Sequence, residues 1–145
     1  MITRRTAAAA LAAGLFTTVI GYAIEGTSGA TAVLGPGLLT VEVDIEHSRF
    51  SVDRLAVRTG TLVRFLVRNH DPIVHELVVG DRDVHARHVE GSELAHPPVP
   101  GEVSMLPGET GVTFYEFDEP GTFAFVCHLP RHAEYGMVGE VTVTD

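Results

Sequence analysis

Cys127, His132 and Met137 stand in one short stretch with the spacing Cys-x4-His-x4-Met. A thiolate, an imidazole and a thioether are soft or borderline donors. Together they select copper, above all where both Cu(I) and Cu(II) must be held. A fourth donor has to come from elsewhere. His75 is the candidate, because it lies inside the otherwise apolar run Ile73–Val79, where an imidazole is costly without a partner. Two histidines, one cysteine and a weak axial methionine make a trigonal copper site. Zinc prefers closed sites of Cys and His and has little use for the methionine. Taken singly, Cys127 reads equally well as an inert buried thiol, His75 as a satisfied core imidazole and Met137 as packing. Their order and spacing ahead of a terminal strand argue for the joint reading.

A second group of polar side chains falls between Gly80 and Gly101: Asp83, His85, His88, Glu90, Glu93 and His96. A helical turn near Val84–Glu90 would put His85 and His88, three apart, on one face. With carboxylates nearby they suit a second Cu(II) or Zn(II); the plainer reading is a solvated acidic loop. His128 directly follows Cys127 and reads as an outward strand-end histidine without a metal. In the last domain of multicopper oxidases a histidine in that place feeds a copper cluster. Such a cluster needs His-x-His pairs, and this chain has none. His47 and His70 read as surface residues.

The elements that must position these donors are strands. Val41, Val43 and Ile45 alternate with Glu42, Asp44 and Glu46, the pattern of a half-buried strand. Further short strands are expected at Phe50–Val57, Thr61–Val67, Ile73–Val79, Glu102–Leu106, Gly111–Phe117, Thr122–Cys127 and Val138–Thr144. Asp71-Pro72, Pro107-Gly108 and Glu119-Pro120-Gly121 supply turns. Short strands at this spacing, with no βαβ alternation, indicate an all-β, antiparallel Greek-key sandwich or barrel of about eight strands.

At these residues the chain resembles the cupredoxins, single-domain Greek-key blue copper proteins. The resemblance covers Thr40 to Asp145. It rests on His75-Glu76-Leu77-Val78-Val79-Gly80, Leu106-Pro107-Gly108-Glu109-Thr110, Glu119-Pro120-Gly121-Thr122-Phe123 and the Cys127–Gly139 loop. The chain looks most like the small exported bacterial cupredoxins of the copper-tolerance and sulfocyanin-like kind. The resemblance implies one copper ion, cycling between Cu(I) and Cu(II), on His75, Cys127, His132 and Met137. One departure stands out: the family usually has glycine directly before the second histidine, and here it is Arg131. The backbone there must avoid a positive φ or bear its strain.

Composition bounds the rest. The 145 residues include 10 Lys+Arg, all of them Arg, against 19 Asp+Glu, a net charge of −9. An acidic chain without a basic run has no footprint for nucleic acid. With a single cysteine there is no internal disulfide, so a metal is the natural staple for so small a domain. Arg4 and Arg5 precede the uncharged segment Ala7–Ile24, the pattern of an export signal or membrane anchor. The expected organisation is a signal peptide or anchor over 1–30, a linker over 31–39 and a cupredoxin domain over 40–145. The expected function is electron transfer outside the cytoplasm, by a monomer that serves a redox partner protein and is not an enzyme. Copper handling with a second site in the histidine loop is the alternative. An oxidase or nitrite reductase fragment working as an oligomer ranks behind both, since that chemistry needs a second copper with an open position.

Overall fold

Residues 37–90 and 99–145 are described by the computed structural model. The expected signal or anchor, residues 31–36 of the linker, Glu93 and His96 lie outside the described residues. The strands are β1 (Gly37–Ile45), β2 (Arg54–Arg58), β3 (Thr61–Asn69), β4 (His75–Gly80), β5 (Glu102–Met105), β6 (Thr110–Phe117), β7 (Gly121–Val126) and β8 (Val138–Thr144), with helix α1 (Arg82–Glu90) after β4. Gly37, Leu38 and Leu39, expected in the linker, are the first residues of β1.

Two sheets face each other, one ordered β1-β3-β6 and the other β2-β8-β7-β4-β5. Alternation decides which side of each strand enters the core. In β8, Gly139, Val141 and Val143 are buried while Glu140, Thr142 and Thr144 are exposed. Val43, Ile45, Val63, Phe65 and Val67 from the small sheet meet Leu77, Val79, Phe125, Val141 and Val143 from the large one. Phe125 lies near the centre, its ring 6.3 Å from that of Phe65 and 5.6 Å from that of Phe50.

The sheets are mixed and not purely antiparallel. β1 pairs with β3 in parallel, and so does β2 with β8. Period-two patterning tells which face a residue takes and is silent about strand direction, so the parallel pairs leave no trace in the sequence. The expected strand Phe50–Val57 is shorter and later: Phe50 makes an isolated bridge with Ile45, and β2 starts at Arg54.

β4 is buried at every position. Leu77 and Val79 enter the core, and α1 packs over the end of the strand. A Cβ on Gly80 would meet the Val84 side chain at 2.7 Å, so the close approach requires glycine. The helix is longer than the single turn expected. Asp81 caps it, its Oδ1 accepting from the N–H groups of Asp83 and Val84, each at 2.9 Å. Among the described residues no helix is long and apolar enough to cross a membrane.

Candidate metal centre

β7 and β8 are antiparallel neighbours whose last pair is Val126↔Val138. Cys127 and Met137 therefore face each other just beyond the ladder, where the Cys127 N–H donates to the Met137 carbonyl at 3.1 Å. The loop between them is held by its own backbone. The His132 N–H donates to the Leu129 carbonyl at 3.0 Å, and the Met137 N–H donates to the His132 carbonyl at 3.1 Å. Arg131, just before His132, has φ 70°, so the backbone keeps the left-handed conformation although no glycine supplies it. The Arg131 guanidinium lies 5.3 Å from the centre of the Tyr135 ring.

This folding brings His132 Nδ1 to 3.2 Å from Cys127 Sγ. His75, at the start of β4, completes the group. Its ring centre is 4.8 Å from that of His132, and one donor atom from each of His75, Cys127 and His132 lies within 4.8 Å of the others. His75, Cys127 and Met137 are fully buried, while His132 is half-buried and closes the site toward solvent.

His75 is fixed from behind. Its Nε2–H donates to Asp71 Oδ2 at 3.0 Å, which leaves the lone pair on Nδ1. That Nδ1 is buried and has no hydrogen-bond partner. Burying such an atom is costly unless a cation takes the lone pair, so the orphaned nitrogen fits a metal ion. Asp71 is itself tied down by the N–H groups of His47 and Ser48, each at 2.7 Å. Burial raises its pKa, but these N–H donors and His75 outweigh that and hold the carboxyl below its ordinary value. One layer further out, Asn69 is buried and ties the Asp71–Ile73 bend to the end of β5. Its Nδ2 donates to the carbonyls of Ile73, Met105 and Leu106 at 2.8, 3.2 and 3.1 Å, and its Oδ1 accepts from the Asp71 N–H at 3.0 Å. Glu76 anchors the loop to β4, its Oε1 accepting from the His128 N–H at 2.7 Å.

The electrostatics suit soft coordination. Burial pushes the Cys127 thiol up to about 11. Burial also lowers the His75 and His132 imidazoles, so both are neutral donors at neutral pH. A thiol and two neutral imidazoles in a dry pocket suit copper.

The structure thus gathers His75, Cys127 and His132, with Met137 buried at the loop's end. Asp83 stays exposed on α1. His128 is not the outward residue expected. It is half-buried against α1, and its Nε2 lies 2.9 Å from His85 Nδ1, because the chain turns back over β4 immediately after Cys127. His70 is at the surface as expected, 2.8 Å from Asp44. Sequence reasoning missed Asn69, Asp71 and Glu76. Two of them left a signal: Asp71 stands four residues before His75, and Glu76 is a carboxylate inside an apolar strand.

Residues 38–144 match the copper-binding proteins of the plastocyanin/azurin family. The chain belongs to that family: it is a copper-binding cupredoxin with a His-Cys-His site. It is 36% identical over 98 residues to the copper-resistant cuproprotein CopI of Rubrivivax gelatinosus, covering 66% of this chain and 59% of the relative, so it spans well under two thirds of that protein. The Pseudomonas aeruginosa protein of the same name is 24% identical over 136 residues, covering 72% and 75% of the two chains. The structure is similar to dithionite-reduced auracyanin from the photosynthetic bacterium Roseiflexus castenholzii, with a TM-score of 0.59 and 26% identity over 73% of this chain and 97% of that one.

Proposed function

We propose that this chain is a mononuclear electron carrier working outside the cytoplasm, with Met137 as a weak axial donor beside His75, Cys127 and His132. The observation that carries the reading is the donor geometry: Cys127 Sγ stands 3.2 Å from His132 Nδ1, opposite a buried His75 Nδ1 with no other partner. Bound copper supplies a one-electron couple. The residues keep the donors in place through it. Asp71 locks the His75 ring, the loop's backbone bonds fix His132, and burial on all other sides leaves the half-buried His132 edge as the route to a partner. No bond is made or broken, so no substrate position is needed. The basic start followed by the uncharged Ala7–Ile24 supports export.

Three substitutions test the reading. Cys127→Ser should abolish the intense visible band of the Cu(II) protein, since a hydroxyl lacks the thiolate's covalency. Met137→Leu should keep copper and colour and raise the reduction potential, because losing an axial donor disfavours Cu(II). Met137→Gln should lower it. A potential unchanged in both Met137 variants would make that residue core packing.

A second reading is favoured by the relatives' name, copper-resistant cuproprotein: copper handling at the same site. The two part on exchange. A carrier keeps its copper through repeated oxidation and reduction in the presence of a competing chelator, and a handler gives it up.

A further inference from the structure

α1 and the start of the copper loop bring three imidazoles together outside the first site. His85 Nδ1 lies 2.9 Å from His128 Nε2, with ring centres 5.1 Å apart. His88 stacks on His128 with ring centres 5.6 Å apart and planes 27° from parallel. All three are half-buried, so solvent reaches the cluster. We propose that His85 and His128 hold a second, exchangeable divalent ion of the imidazole-preferring kind, Cu(II) or Zn(II), with His88 flanking it and water completing its coordination.

The separation of the two nitrogens carries the proposal. A metal–imidazole bond is about 2.0–2.1 Å long. Two donors on one ion then stand about 2.9 Å apart at a right angle and about 3.3 Å apart at the tetrahedral angle. The His85 and His128 nitrogens already have that spacing.

The tautomer agrees. His85 Nε2 faces two carbonyl oxygens, those of Gly80 at 3.2 Å and Ala124 at 3.3 Å. Only an N–H answers carbonyls, so the His85 lone pair is on Nδ1, toward His128, whose Nε2–H donates to it at 2.9 Å; an ion takes the place of that proton once the His128 ring carries its hydrogen on Nδ1 instead. A backbone carbonyl behind the ring is the usual outer support of a metal-ligating histidine. His128 is steadied in turn by its N–H bond to Glu76. His88 Nδ1 donates to the Val84 carbonyl at 3.0 Å, and its Nε2 lies 3.4 Å from a Glu102 carboxylate oxygen, so a negative charge borders the cluster. The soft thiol and thioether are in the other site, so the all-imidazole cluster favours a divalent ion over Cu(I). The donors differ from those the sequence suggested: His128 joins His85 and His88, and Asp83 stands exposed.

The test uses protein carrying one equivalent of copper in the first site, whose visible band reports on Cys127 separately. Cu(II) is then added at neutral pH, and in a parallel titration Zn(II). A second equivalent should bind without a new intense visible band, and the Cu(II) should give its own electron paramagnetic resonance signal with imidazole nitrogen coupling. His85→Ala should weaken that second equivalent by about tenfold or more and leave the visible band intact. His85→Gln, whose amide still donates to the carbonyls of Gly80 and Ala124 but brings no imidazole, should do the same without disturbing α1. Binding that stops at one equivalent, or a second equivalent that neither His85 variant alters, overturns the proposal. The 2.9 Å contact is then a hydrogen bond alone.

Discussion

Protonation of the donors decides how the first site captures its metal. Cys127 carries its proton at neutral pH, because burial holds the thiol at about 11, whereas His75 and His132 are lowered and neutral. A metal takes thiolate and neutral imidazole, so the only proton to be displaced is that of the thiol. Copper binding in weakly buffered solution at pH 7 should therefore release about one proton per ion, read with a pH indicator. Release of two would mean that one of the imidazoles is charged before binding. The donors themselves were legible in the sequence, because Cys, His and Met at fixed spacing carry their chemistry in their identity. Their supports were not. Asn69 looks like any strand-end asparagine, and its role exists only because two segments distant in sequence, at Ile73 and at Met105-Leu106, present carbonyls to one buried amide. Asn69→Ala should destabilise the metal-free protein by about 2–3 kcal/mol in chemical denaturation, since it leaves buried carbonyls unpaired.

Among the elements, the β7–β8 hairpin carries the site, and its register rests on one contact. Gly139 pairs across the ladder with Phe125, and a Cβ on Gly139 would stand 1.9 Å from the Phe125 ring. The ring cannot move away easily, because it already packs between Phe50 and Phe65. Gly139→Ala should therefore cost about 3 kcal/mol of stability and loosen the loop that begins two residues from Phe125, which thermal melts with and without copper will report. The strands of this hairpin were legible from alternation, and the turn that leads from β6 into it, at Glu119-Pro120-Gly121, from its residue types. The aromatic-over-glycine contact was not, since it joins residues that are distant in sequence. Arg131 shows a similar limit. Its place in the loop predicted a choice between a changed backbone and strain, and the backbone kept φ 70°. A left-handed residue other than glycine costs about 1–2 kcal/mol. The guanidinium over Tyr135 offsets about 0.5–1 kcal/mol of that. The parallel pairings of β1 with β3 and β2 with β8 could not be read at all, because chain direction is set by where each connection crosses between sheets.

Over the whole molecule, charge sets which partners approach. The chain carries −9 at neutral pH, yet the residue beside the half-buried His132 is an arginine whose side chain is 68% exposed. The two act over different ranges. Net charge steers a reagent from beyond the surface, while a single exposed arginine is felt only within a Debye length, about 10 Å at 0.1 M salt. Glu134, 3.7 Å from the Arg131 guanidinium, blunts it further. At low ionic strength the net charge should win, so a cationic metal complex should exchange electrons with the copper-loaded protein about tenfold faster than an anionic complex of similar driving force. Raising the salt to 1 M shrinks the screening length to about 3 Å and should bring the two rates together. Arg131→Ala should widen the low-salt difference, because it removes a local attraction for the anion beside His132. Stopped-flow rates at several ionic strengths check all three statements. A faster reaction with the anionic complex at low salt would mean that the loop's own charge, and not that of the whole domain, governs docking at His132.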